Sequence, residues 1–162
     1  MVPTSADLAY ACWACWSHSR EESTRSPMLY KLHKGSVPNY TGGQEPLVYL
    51  VSSAEAVAAA GSLFMFSDGN CASTLSQFAA DLTQIESVVD WEVMNATMWA
   101  NTADDPDRKR RRMAEFLVHR RVPVECLSGI VVRRDTMKTQ VNKLLGASGV
   151  GLPVSTQPSW YF

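Results

Sequence analysis

The apolar residues of this sequence occur in short runs that mix irregularly with segments of helical spacing. Leu47–Val51 and Leu63–Phe66 are rich in β-branched and aromatic residues, which is typical of strands. Ala54–Ala60 lies between them, follows two serines that can cap a helix, and ends at Gly61. Helices and strands that intermix without a regular βα repeat favour an α+β fold over a parallel α/β sheet. Because 162 residues suit a single core, we predict one mixed α+β domain.

The same criteria predict further elements along the chain. Two helices are expected in the middle. One contains Leu75, Phe78, Ala79 and Leu82, and the other is capped by Asp90 and extends to Trp99. The remaining predictions are strands at Ala114–Val118 and Ser128–Val132, a helix that Asp135 caps and that ends before Gly146, and a last strand at the C-terminus from Leu152–Val154 and Trp160–Phe162.

Membrane proteins are excluded by the lengths of the apolar runs. No run approaches the roughly 18 residues that a membrane-spanning helix needs. The start Met1–Thr4 has no basic segment that leads into an apolar core, so no secretory signal is predicted. We therefore expect a cytoplasmic protein without a membrane partner.

Cysteine spacing offers only weak support for a metal or redox site. Cys12 and Cys15 form a CxxC motif, and His18 follows three residues later. A structural zinc site needs four ligands, but Cys71 and Cys126 stand alone and far apart in the sequence. No strand is predicted before the motif, as a redox CxxC would require. We expect no metal, and a zinc or redox protein is the weakest alternative.

Charge is distributed unevenly along the chain, although the net charge is only −1. Residues 108–134 contain nine basic and two acidic residues, a net charge of +7, whereas the rest of the chain has a net charge of −8. Consecutive basic residues neutralise phosphates and make binding to nucleic acid dependent on salt. The alternative is a solvated helix face. The candidate DNA-binding residues are Arg108, Lys109, Arg110, Arg111 and Arg112.

Glu115 is the acidic residue with the clearest functional implication. It follows the basic run directly and lies in the apolar segment Ala114–Val118, where it shares a strand face with Leu117. A carboxylate on a partly apolar face must be paired, hydrogen-bonded or functional. One interpretation is an ion pair with Arg112 or a neighbour. The other is a catalytic carboxylate that orients a sugar hydroxyl and stabilises a cationic transition state, while the arginines attract an anionic substrate.

Several short motifs occur in the order found in one protein family. From Arg25 to Phe162, 138 of the 162 residues, the chain resembles the DarT-type DNA ADP-ribosyltransferases, toxins of bacterial toxin–antitoxin pairs. The motifs that carry the resemblance are Arg25–Tyr30 (RSPMLY), Tyr40–Pro46 (YTGGQEP), Leu50–Ser53 (LVSS), Phe66–Asn70 (FSDGN), Asp90–Trp91, Ala114–Glu115–Phe116–Leu117–Val118 (AEFLV) and Trp160–Phe162 (WYF).

This resemblance implies an ADP-ribosyltransferase fold, with mixed sheets and flanking helices around an NAD cleft. It implies NAD-dependent transfer of ADP-ribose to bases in single-stranded DNA, reversed by a macrodomain antitoxin. Glu115 occupies the position of the family's catalytic glutamate and Met28 that of a residue lining the site. A basic residue that engages DNA falls on Lys109 or an adjacent arginine.

The sequence before Arg25 departs from the family pattern. The His-x-Thr motif that holds NAD, and an arginine that contacts the cofactor, are not found there. We therefore expect residues 1–24 to be a divergent, poorly ordered segment, native or frameshifted, and residues 25–162 to form a partial domain. The alternative function is a catalytically inactive remnant that binds single-stranded DNA or a macrodomain antitoxin.

Overall fold

The computed structural model describes Leu8–Ala9 and residues 27–162, and these form two compact units. The first unit contains Leu8–Ala9 and Val57–Val122, and the second contains residues 27–56 and Pro123–Phe162. No helix in these ranges is long and apolar enough to cross a membrane. Apart from Leu8–Ala9, the segment predicted to be poorly ordered lies outside the described residues.

The described elements are numbered in chain order. The strands are β1 (Leu8–Ala9), β2 (Val48–Ser52), β3 (Phe64–Ser67), β4 (Phe78–Ala79), β5 (Phe116–His119), β6 (Leu127–Val132) and β7 (Val154–Thr156). The helices are α1 (Pro27–His33), α2 (Ala54–Ala59), α3 (Ile85–Val88), α4 (Trp91–Asn95), α5 (Arg108–Arg111) and α6 (Asp135–Ser148). Short 3₁₀ turns lie at Leu82–Gln84, Val124–Cys126 and Pro158–Trp160.

The first unit is built on an antiparallel sheet with strand order β1-β5-β3-β4. Phe66 pairs with Phe116 across the two central strands, and their parallel rings lie 6.5 Å apart. Phe116, Leu117 and Val118 are all buried, so β5 is covered on both faces. The pairing of these two buried strands fixes the position of Phe116, the first residue of β5, and therefore of Glu115 directly before it.

The second unit contains the sheet β2-β6-β7, in which β6 is antiparallel to β2 and parallel to β7. Because successive side chains of a strand point to opposite faces, β6 contributes to two apolar clusters. Ile130 and Val132 pack with residues of α6 and β7, whereas Val131 packs with Leu29 of α1 and with Tyr161. The predicted α+β fold is confirmed.

Two predicted helices in the first unit are wrong or too long. Phe78 lies in strand β4, because the Asp68 carboxylate accepts a hydrogen bond from the Gln77 backbone N–H and Phe78 then pairs with Ser67. Asp90 does cap α4 by accepting from the Val93 N–H. That helix ends at Asn95, since the next residue is extended, and so it does not extend to Trp99.

The predicted ends of the chain's last elements also need correction. Helix α6 begins at Asp135, with Arg134 as the N-cap residue, and it continues to Ser148. Gly149, rather than Gly146, ends it in the left-handed conformation, at φ 67°. The last strand is β7, and Trp160 lies in a 3₁₀ turn instead of a strand.

Candidate active site

Glu115 lies immediately before β5, where its backbone continues the pairing with β3. The Ser67 N–H donates to the Glu115 carbonyl at 2.9 Å, and the Glu115 N–H donates to the Ser67 hydroxyl oxygen at 3.0 Å. Glu115 was predicted to lie inside the strand, but the regular strand begins one residue later. A buried serine side chain therefore replaces one backbone partner at this position and fixes the backbone of Glu115.

The Glu115 side chain is held by the loop that follows β3. The Cys71 backbone N–H donates to Glu115 Oε2 at 2.7 Å. A hydrogen bond from a backbone N–H to a carboxylate is a charge-assisted contact that restricts the rotamer. Glu115 is a partly exposed residue whose carboxylate is oriented by this contact.

Ser67 connects this loop to the glutamate. Its hydroxyl donates to the Gly69 carbonyl at 2.6 Å while it accepts from the Glu115 N–H, and the residue is 0% exposed. Ser67, Gly69 and Cys71 were not identified as site residues from the sequence. The sequence signals at this loop were the turn pattern Ser67-Asp68-Gly69-Asn70 and the family motif FSDGN, and neither indicated a contact with Glu115.

The basic run forms the short helix α5 and the turn before Glu115, and three of its arginines have carboxylate partners. Arg110 binds Asp68 and Asp107, with shortest N···O distances of 2.8 and 2.7 Å. Arg111 contacts Asp90 and, at 2.6 Å, Asp105. Arg108 lies 3.6 Å from Asp105.

These pairs shift the pKa values of their members so that the charged forms are favoured. The hydrogen bond from Arg111 holds the pKa of Asp105 below its ordinary value, and Arg110 does the same for the pKa of Asp107. The pKa of Arg110 is raised in return, first by Asp107 and then by Asp68. Acidic side chains thus neutralise much of the positive charge that the sequence places next to Glu115.

The other predicted site residues have different surroundings. Lys109 is exposed on α5 and takes part in no ion pair among the described residues, whereas Arg112 is buried, at 3% exposure. Met28 lies in α1 of the second unit, and its side chain is outside the described part of the structure. Whether these residues bind DNA or NAD stays a prediction.

The predicted CxxC motif, formed by Cys12 and Cys15, and the nearby His18 lie outside the described residues. Within the described ranges, no group of three or more His, Cys, Asp or Glu side chains is arranged to hold a metal ion. Cys126 is buried, whereas Cys71 is only partly buried and its backbone contacts Glu115.

Comparison with known proteins identifies the family. Residues 23–162 match the family model described as "ssDNA thymidine ADP-ribosyltransferase, DarT". The chain belongs to this family. The match includes Glu115, the loop that contacts it and the whole of α5, so the DarT resemblance of the sequence is confirmed.

A DarT relative and two solved structures extend the comparison. A DNA ADP-ribosyl transferase of Thermus sp. (strain 2.9) is 38% identical over 121 residues, which are 75% of this chain and 56% of the relative. Thermus sp. 2.9 DarT in complex with NAD+ superposes with a TM-score of 0.82 at 30% identity, over 99% of this chain and 78% of that one. The same protein in complex with ADP-ribosylated ssDNA gives 0.79 at 34% identity, over 86% and 65%. The chain thus spans little more than half the length of its curated relative.

Proposed function

We propose that this chain transfers ADP-ribose from NAD to a base of single-stranded DNA, with Glu115 as the catalytic residue. The observation that carries the proposal is that the Cys71 N–H donates a hydrogen bond to Oε2 of the Glu115 carboxylate, in a chain that belongs to the DarT family. The related Thermus protein has been solved with NAD+ and with ADP-ribosylated ssDNA. Because the family description names thymidine, thymidine is the base that we propose.

The chemistry of the site suits this reaction. NAD supplies ADP-ribose when its bond from nicotinamide nitrogen to ribose carbon breaks and nicotinamide leaves with the electron pair. The Glu115 carboxylate accepts a hydrogen bond from a ribose hydroxyl and stabilises the positive charge that develops on the sugar. The base nitrogen then bonds to that carbon and loses its proton to solvent. Because Glu115 is oriented in advance, little reorganisation is needed as the charge develops.

Binding of the two substrates involves further residues. Within Arg108–Arg112, Lys109 is the residue that we expect to contact a DNA phosphate, since its side chain is exposed and in no ion pair among the described residues. Met28 is proposed to line the NAD site, on the basis of the family motif RSPMLY. Residues 25–162 are proposed to carry the DarT-like domain.

The biological setting follows from the same family membership. We propose that the protein is the toxin of a toxin–antitoxin pair, that a macrodomain protein is its antitoxin, and that it acts in the cytoplasm. DNA and NAD are both present in that compartment of a bacterial cell, which supports this location. A macrodomain reading frame beside the gene would support the antitoxin, and its absence would count against it.

The experiment that tests the function is a product analysis. Wild-type protein and Glu115→Gln are incubated with NAD and a mixed-sequence single-stranded oligonucleotide, and the oligonucleotide mass is measured. We expect an ADP-ribose adduct with wild type only, and none on an oligonucleotide that lacks thymidine. Salt-sensitive binding without any adduct would instead favour the inactive DNA-binding remnant. Modification of the thymidine-free oligonucleotide would overturn the choice of base.

A further inference from the structure

Arg110 ties together the two ends of the loop that holds Glu115. One guanidinium nitrogen, Nη1, lies 2.8 Å from Asp68 Oδ1 at the start of the loop and 3.1 Å from the Ser76 hydroxyl near its end. The other, Nη2, donates to Asp68 Oδ2 at 3.2 Å. Asp68 Oδ1 also accepts a hydrogen bond from the Gln77 N–H. Both ends of the loop are therefore joined to each other and to the Arg110 side chain.

Arg110 also contacts the turn between those ends. Its backbone carbonyl accepts from the Asn70 N–H at 3.1 Å. Its side chain lies so close to Gly69 that an added Cβ would be 2.4 Å from Nη1. The tip of the turn therefore rests directly on Arg110, and only glycine fits there without displacing it.

The same turn supplies the hydrogen bond to the candidate catalytic carboxylate. Cys71, next to Asn70, donates its N–H to Glu115 Oε2 at 2.7 Å. A shift of the turn on Arg110 would therefore alter the position of that N–H and the orientation of the carboxylate. We propose that Arg110 is a positioning residue that sets the geometry of Glu115, and that it is not a phosphate-binding residue of the basic run. This inference rests on the proposed function.

The charge and exposure of Arg110 agree with that role. Its guanidinium donates two hydrogen bonds to the Asp68 carboxylate and three to the Asp107 carboxylate. The side chain is only 14% exposed. A phosphate group would have to displace carboxylates that already match the planar fork of the guanidinium. Lys109, its exposed neighbour on α5, provides a matched control.

The test compares Arg110→Lys with Lys109→Met in the full chain. Arg110→Lys keeps the positive charge but cannot reproduce the bidentate contacts. We expect its kcat for transfer to fall about 10- to 100-fold, because a small displacement of the catalytic group slows the reaction by that order. The KM for the oligonucleotide and the salt dependence of binding should stay unchanged. Lys109→Met should instead weaken binding of the oligonucleotide and make the log–log salt slope of binding shallower by about 0.7. If Arg110→Lys changes only the KM and the salt slope and leaves kcat at the wild-type value, the proposal is overturned.

Hydrogen exchange provides a measurement that does not depend on activity. The Cys71 and Gln77 amides should exchange about tenfold faster in Arg110→Lys than in wild type and Lys109→Met, because the loop opens locally. If wild type forms no adduct, the proposed function fails while hydrogen exchange still decides whether Arg110 holds the loop. Unchanged exchange in Arg110→Lys would refute the positioning role. Circular dichroism confirms that the compared variants are folded.

Discussion

Replacing Ser67 by alanine removes the hydroxyl that joins the loop to Glu115. That hydroxyl donates to the Gly69 carbonyl at 2.6 Å and accepts from the Glu115 N–H at 3.0 Å. Since Ser67 is 0% exposed, water cannot replace it without a rearrangement. A buried polar group left without its partner costs about 1–3 kcal/mol, and two backbone groups lose a partner here. We therefore expect Ser67→Ala to lower the free energy of unfolding by about 2–4 kcal/mol.

Urea unfolding followed by tryptophan fluorescence measures this change. The midpoint should fall with an unchanged slope, because the surface exposed on unfolding stays the same. Ser87→Ala is the matched control, as that exposed hydroxyl in α3 donates to the Gln84 carbonyl at 2.8 Å. A surface substitution of this kind stays within about 0.5 kcal/mol of wild type. The reasoning is refuted if both alanine variants shift the midpoint equally.

Two further predictions concern the loop and its ion pairs. Gly69→Ala should destabilise the protein by about 1–3 kcal/mol, since its Cβ would lie 2.4 Å from Arg110 Nη1 and 2.9 Å from the Arg110 carbonyl oxygen. Thermal unfolding checks this against Gly146→Ala, whose Cβ meets nothing within 4 Å, and an equal Tm for the two variants would contradict it. The pKa values of Asp105 and Asp107 lie below the ordinary 3.8 because Arg111 and Arg110 donate hydrogen bonds to them. The two ion pairs therefore stabilise the folded protein fully above pH 3.8, and this stabilisation is lost as the pH falls through the lowered pKa values. A Tm series against pH should show a steep acid limb that Asp105→Asn with Asp107→Asn flattens, and an equally steep limb in that double variant would count against the ion pairs.

Patterns that depend on nearby residues were predictable from the sequence. The apolar run that becomes β6 supplies buried side chains to both faces of its sheet, and Asp90 caps α4 through a residue three positions away. The α+β class was predicted from such local patterns, and the DarT family was predicted from the order of short motifs along the chain. Glu115 was found in the same way, from an acidic residue between a basic run and an apolar strand.

Contacts between distant positions were not predictable from spacing. Arg110 meets Asp68 across 42 positions, and the Cys71 N–H meets Glu115 across 44. Phe78 has helical spacing with its neighbours, but pairing with β3 makes it part of a strand. The sequence therefore showed a basic run, while only the structure shows which of its arginines are committed to carboxylates.

The most direct test of the central claim separates transfer from binding at Glu115. Initial rates of adduct formation on a thymidine-containing oligonucleotide are measured with NAD for wild type and Glu115→Gln, together with the Kd of each protein for the same oligonucleotide. We predict that Glu115→Gln forms adduct at least about 100-fold more slowly, because a preorganised charge at the transition state is lost, with the Kd unchanged. Equal rates of adduct formation in the two proteins would contradict the assignment of Glu115 as the catalytic residue.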